Sequence, residues 1–203
     1  ANTIFINSYL PHFLKNICEG INCKIIQIST DCVYSGSKGE YDENDMPDAF
    51  DLYGRSKMLG ELINKNDLTI RTSIIGPELK KEGKGLFNWF KCQRGDINGF
   101  SNVYWGGVTT IFLAKKILNC IIENKTGLYH LTNGSKISKY SLLCLMKEFF
   151  PNKNQKIKKK EVKSSDKSLK SINEDFNHDV PSYREMIEEM KKFIEFNKND
   201  YHP

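Results

Sequence analysis

The chain has 203 residues, 39% hydrophobic and 27% charged, with a formal net charge of +5. That is enough to bury one substantial core, or a core with a small lobe beside it. No apolar run approaches the ~20 residues a membrane span needs, and no signal or lipidation motif is visible.

Much of the positive excess is local: Lys153 to Lys170 holds eight lysines against Glu161 and Asp166. The run lacks the interleaved aromatics and arginines that nucleic-acid stacking and base readout need. It reads instead as a solvated sheet edge guarded by lysine. Cys18, Cys23, Cys32, Cys92, Cys120 and Cys144 form no CxxC and have no histidine at ligand spacing. No metal site is expected, and reduced thiols in a cytoplasmic protein are the simplest account.

Helical spacing of Ile4, Phe5, Tyr9, Leu10, Phe13, Leu14 and Ile17 predicts a helix over Ala1 to Gly20. Pro11 must then sit in a kink or in the first turn of a second piece. Ile25-Ile26-Gln27-Ile28 is a β-branched run of the buried-parallel-strand kind, closing in Ser29-Thr30-Asp31. A polar loop with Gly36, Gly39 and Pro47 leads to a helix from near Tyr53 to Asn64. Leu68 to Ile75 is a second buried strand, ended by Gly76-Pro77, which completes a βαβ unit. Residues 79–85 read as a charged loop. Gly85 to Phe90 opens a short helix whose Phe87, Trp89 and Phe90 pack in a core or, alternatively, wall a ligand.

Strand character over Gly99 to Thr110 is broken by Gly106-Gly107. An amphipathic helix follows over Thr110 to Asn124, then a short strand over Leu128 to Thr132. Ser138 caps a helix from Lys139 to Phe150, Lys156 to Lys163 is an edge strand, and Ser182 caps a last helix to Asn197. His130 reads as packed rather than catalytic, and Arg71 as a buried ion partner.

The chemistry concentrates between Lys24 and Glu61. Strand ends in open α/β sheets face the ligand crevice, so the hydroxyl of Thr30 is placed for chemistry. Tyr53 and Lys57 are four apart and share a helix face. A free tyrosine has a pKa of about 10. A nearby ammonium would favour the phenolate and make the pair a usable acid or base. Thr30 could donate to a substrate carbonyl. Taken singly, each of the three is better explained as ordinary structure; their shared strand–loop–helix–strand context favours function.

Four elements carry a family resemblance: STDCVYSG from Ser29, GEYDE from Gly39, YGRSKMLGE from Tyr53 and IRTSIIGPE from Ile70. With them the chain resembles an extended short-chain dehydrogenase/reductase, and more narrowly the dTDP-4-dehydrorhamnose reductase (RmlD-like) family. The resemblance covers the latter two-thirds of such an enzyme; the Gly-rich βαβ turn of a dinucleotide fold does not occur in the chain. It implies an α/β fold with a Rossmann-like parallel sheet and a small α/β substrate-binding lobe. Residues 1–76, with 107–135 returning, would belong to the NAD(P)-binding domain, and 77–106 with 136–203 to the lobe.

It also implies a reaction: hydride from NADP or NAD cofactor to the 4-keto carbon of a nucleotide-linked 6-deoxysugar. Thr30, Tyr53 and Lys57 would be catalytic. Tyr53, Lys57 and Asn7 would lie against the cofactor, Asn7 being equally readable as a polar helix residue bonding nearby backbone. Thr30, Asp31, Trp105 and Thr109 would lie against the nucleotide-sugar, with the sugar held by the loop after Gly76. Asn173 stands where the family usually carries an arginine. A homodimer is compatible with the resemblance. The same residues could serve an epimerase, and relatives of this fold include non-catalytic regulatory subunits such as the β subunit of methionine adenosyltransferase.

Overall fold

The computed structural model describes residues 1–21, 23–80 and 83–201; Lys81 and Glu82, within the expected loop 79–85, lie outside them. The chain opens with α1 (Asn2–Ile4), a π-helical turn (Phe5–Tyr9) and α2 (Leu10–Glu19) in direct succession. Pro11 sits in the first turn of α2. It has no N–H to offer the carbonyl of Asn7, four residues back, and the wider turn lies where that bond is missing.

Strand β1 (Ile26–Thr30) runs into a 3-10 turn (Asp31–Val33), where the Thr30 hydroxyl accepts the Cys32 N–H at 3.1 Å. Helix α3 (Leu52–Leu59) starts at an Asp51 cap, whose carboxylate accepts the Gly54 N–H at 2.8 Å. It stops at Gly60, short of the expected Asn64. The cause is Gln27 on β1, which takes the Leu62 N–H at 3.0 Å and donates to the Gly60 carbonyl at 2.8 Å. Backbone groups that would extend the helix bond to the strand instead.

Strand β2 (Leu68–Thr72) pairs parallel with β1, from Ile26 opposite Leu68 to Thr30 opposite Thr72. The expected strand to Ile75 is divided at Ser73. Its carbonyl accepts the Val108 N–H at 2.9 Å, and β3 (Ile74–Ile75) leaves the first sheet to pair with Val108 and Thr109. Then follow α4 (Leu86–Cys92), β4 (Gly95–Phe100), β5 (Val103–Trp105), β6 (Val108–Thr109) and α5 (Thr110–Ile122). Strand β7 (Gly127–His130) returns to the other edge of β2, giving a parallel sheet in the order β1-β2-β7. The remainder is β8 (Ile137–Ser138), α6 (Lys139–Phe149), β9 (Gln155–Lys160), β10 (Ser165–Asp166), α7 (Glu174–Asn177) and α8 (Tyr183–Phe196).

Two large apolar cores form among the described residues, with a small third one of Val33, Tyr34, Tyr41 and Leu169. One joins β2, through Leu68 and Ile70, to Phe112, Leu113, Leu131 and Met186. The other packs Phe87 and Phe90 of α4 against Leu142, Met146, Ile187 and Met190. Core packing therefore claims two of the three aromatics of α4, while Trp89 stays 39% exposed. Strand β9 pairs only with β4, so the lysine-rich segment is an edge, as its charge pattern requires. All six cysteines are free thiols. No helix among the described residues is long and apolar enough to cross a membrane.

Candidate active site

The carboxyl end of β1 and the first two turns of α3 meet because Gly54 permits it. A Cβ there would stand 2.1 Å from the Cys32 carbonyl oxygen and 2.6 Å from the Ala49 methyl. This contact sets the first turn of α3, which carries Tyr53, against the end of β1, with Thr30 among the groups acting on the Tyr53 phenol. Tyr53 remains 48% exposed, while Thr30 and Asp31 are each 7% exposed. One turn further on, the Lys57 ammonium donates to the Ile28 carbonyl at 2.7 Å. The structure thus gathers Thr30, Tyr53 and Lys57 at one strand end.

The expected lowering of the phenol pKa by Lys57 is not what this arrangement gives. Partial burial pushes the Tyr53 phenol above its ordinary value, the hydrogen bond with Thr30 opposes this, and Cys32, Asp31 and Asp51 push further upward. Lys57 is turned to the Ile28 carbonyl, and its own pKa is lowered by burial against the opposing charge of Glu61. An ammonium carries three donors, and the bonds among the described residues use one on Lys57. The two others are open to further acceptors. Burial likewise raises the Asp31 carboxyl, countered by Thr30, whose hydroxyl donates to it at 3.2 Å, and by Lys167.

Asn7 lies beside this site. Its amide donates to the Ser56 hydroxyl at 3.0 Å, which donates to the Tyr53 carbonyl at 2.9 Å. Trp105 and Thr109 both have partners within the fold. Trp105 is 5% exposed in the core under α6 and α8, with its indole N–H on the Ser73 hydroxyl at 3.0 Å. Thr109 is 1% exposed and caps α5 by accepting the Phe112 N–H at 3.3 Å. Packing holds the one and capping the other in place. Asn173 is the cap residue of α7, with its amide on Glu43 at 3.3 Å.

A buried polar network beneath the site went unnoticed in the sequence, apart from Arg71 as an ion partner. Arg71 makes a two-pronged pair with Glu61 at 2.8 and 2.7 Å, and both side chains are 2% exposed. It also donates to the Tyr34 hydroxyl at 2.7 Å and faces His130 at 3.3 Å. Ser29 donates to Glu61 at 2.6 Å. The available signal was a charge in an otherwise apolar strand, which demands a buried counter-charge.

Residues 1–193 match the family model described as the RmlD substrate binding domain. The β subunit of methionine adenosyltransferase 2 from Xenopus laevis is 23% identical over 161 residues, 71% of this chain and 47% of that protein. The chain thus spans about half the length of such curated relatives. The crystal structure of a hypothetical dTDP-4-dehydrorhamnose reductase from Sulfolobus tokodaii superimposes with a TM-score of 0.72 at 28% identity, covering 88% of this chain and 66% of that one. The dTDP-4-dehydrorhamnose reductase of Bacillus anthracis, solved in complex with NADP, gives a TM-score of 0.77 at 23% identity, covering 93% and 71%. These likenesses make the fold Rossmann-like, and with the match over residues 1–193 the chain belongs to the RmlD substrate binding domain family.

Proposed function

We propose that this chain forms the catalytic and substrate-handling part of an NAD(P)H-dependent reductase of nucleotide-linked sugars, acting on a 4-keto-6-deoxysugar of the dTDP-4-dehydrorhamnose type. The close packing of the end of β1, which carries Thr30, against the start of α3, which carries Tyr53 with Lys57 one helical turn on, carries the reading. When bound, the nicotinamide supplies hydride to the carbonyl carbon. Thr30 polarises the carbonyl oxygen by hydrogen bonding, and Tyr53 delivers its proton to that oxygen, completing an alcohol. A phenol is protonated at neutral pH, so Tyr53 has a proton to give in the reducing direction. Lys57 holds ribose hydroxyls with its two remaining donors.

Residues 1–76 with 107–135 make up the cofactor-side domain in this reading, and 77–106 with 136–203 the substrate lobe. A cavity of about 640 Å³ after β3, lined by Pro77, Glu78, Lys80, Phe87, Lys91 and others, suits the nucleotide moiety through its lysines and its aromatic wall. The protein would work in the cytoplasm on a diffusible nucleotide-sugar, as a homodimer, with no nucleic-acid or membrane partner.

Tyr53→Phe should abolish NAD(P)H oxidation with a 4-keto nucleotide-sugar while leaving the circular dichroism spectrum unchanged. Near-normal turnover would exclude the assignment. The unlowered phenol pKa and the turned-away Lys57 favour a second reading, a non-catalytic binding subunit of the same fold. Dinucleotide binding by the intact protein with no turnover of any keto sugar would select it.

A further inference from the structure

Ion-paired residues in a core rarely stand one helical turn from a candidate catalytic lysine by packing need alone. Glu61 does: it stands just past the end of α3, four residues after Lys57, and its carboxylate, like the Lys57 ammonium, reaches β1. The two residues grip adjacent positions of that strand. Lys57 donates to the Ile28 carbonyl at 2.7 Å, and Glu61 accepts from the Ser29 hydroxyl at 2.6 Å. Thr30 is the next residue. Gln27 adds two bonds to the segment just after α3, at 2.8 and 3.0 Å. Glu61 is itself held from the far side by both prongs of Arg71, a geometry that lysine could not reproduce. Arg71 stands on β2, directly opposite Ser29 in the register.

We propose that Glu61, oriented by Arg71, is a positioning residue of the active site: with Ser29 it locks the register between α3 and β1, so that Tyr53 and Lys57 face Thr30. A buried ion pair between two charged side chains is not the cheapest way to fill a core, and apolar pairs of similar volume are often at least as stable. Its use here is geometric. Glu61 has fixed acceptors aimed at the strand end, and it supplies the carboxylate whose charge opposes the burial of Lys57. The role of Glu61 in turnover rests on the reductase reading; its control of Lys57 does not.

The test uses the full chain with its lysines reductively ¹³C-methylated, the Lys57 resonance being identified by its loss in Lys57→Arg. The double variant Glu61→Gln/Arg71→Met removes both charges together, which avoids leaving one buried alone. Its Lys57 titration midpoint should fall below that of the parent. In turnover, kcat should drop roughly 10- to 100-fold with little change in KM, since a misplacement of about 1 Å at a reacting group has that effect. Ser29→Ala deletes only one hydroxyl and decides the matter if the double variant does not fold. It should displace the Lys57 resonance and lower kcat in the same sense. A folded variant with the parental Lys57 resonance and midpoint overturns the proposal. Absence of turnover in the parent would instead remove the reductase reading, and the Lys57 resonance would still decide the positioning role.

Discussion

Gly60 offers a test in which the sign of the effect is decided by one contact. Its φ of −94° and ψ of −1° are open to any residue, so backbone strain plays no part. On unfolded-state entropy alone, Gly60→Ala should stabilise the protein by about 0.4–1 kcal/mol. The folded structure opposes this. A Cβ at Gly60 would lie 1.8 Å from the Asn7 carbonyl oxygen, 2.9 Å from its carbon and 3.1 Å from the Ser8 Cα, all backbone atoms. The end of α3 must then move away from the π-helical turn by more than an ångström. Three cross-helix hydrogen bonds hold it there: Asn7 to Ser56 at 3.0 Å, Ser8 to the Ser56 carbonyl at 2.8 Å, and His12 to the Leu59 carbonyl at 2.9 Å. Overpacking of this kind costs about 1–3 kcal/mol, and each bond stretched or lost adds about 0.5–1.5 kcal/mol. With one such bond lost and the entropic gain subtracted, the net expectation is destabilisation by about 0.5–4 kcal/mol, and for a chain of this size each kcal/mol lowers Tm by about 2–4 °C. Urea unfolding followed by circular dichroism measures it as a lower midpoint at unchanged slope. A midpoint at or above that of the parent would show that the two helices do not touch as described.

Thr109→Ala should cost about 1 kcal/mol through loss of the α5 cap, read as a lower urea midpoint, with Thr109→Ser recovering most of it. His130 is fully buried, and burial lowers its pKa, with Glu43 opposing and Arg71 assisting. Below about pH 6.5 the unfolded chain therefore binds a proton that the folded chain resists. The stability associated with His130 is complete above that pH and is lost as pH falls through the depressed folded value. The urea midpoint should fall between about pH 7.5 and about pH 5.5, and His130→Gln should flatten that part of the profile. Replacing Lys156, Lys158 and Lys159 by serine should leave turnover nearly unchanged. They lie on an edge strand, and the Lys158–Asp96 pair is exposed on both sides, where such pairs contribute little. A large loss of activity would assign that strand a role in ligand binding.

What could be read from the sequence was local in its physics. The i, i+4 spacing of Tyr53 and Lys57, the polar end of β1, and the caps at Ser138 and Ser182 depend on neighbours within a turn or two, and each is present. The errors came where distant residues decide. Helix α3 stops at Gly60 because Gln27 competes for its backbone from 33 positions away. The β2 run divides at Ser73 because the Val108 N–H claims its carbonyl. The burial of Trp105 in a core and the place of Thr109 at a helix start are likewise set by distant residues. Lys57 shows the limit most clearly. Its face on the helix was predictable, but which partner its flexible four-carbon stem would reach was not.

The π-helical turn over Phe5–Tyr9 also sets how this region can change in length. A wide turn accommodates one residue more than a regular one, so everything before it is rotated by about 100° relative to an uninterrupted helix. A single-residue deletion there could heal into an unbroken helix with no visible damage to its own ladder. It would nonetheless swing Asn7 off Ser56 and leave the glycine notch of α3 facing a different atom. Among natural variants of this chain, insertions and deletions should therefore be tolerated in the loops and scarce in these five residues, although they form a largely solvent-facing helix.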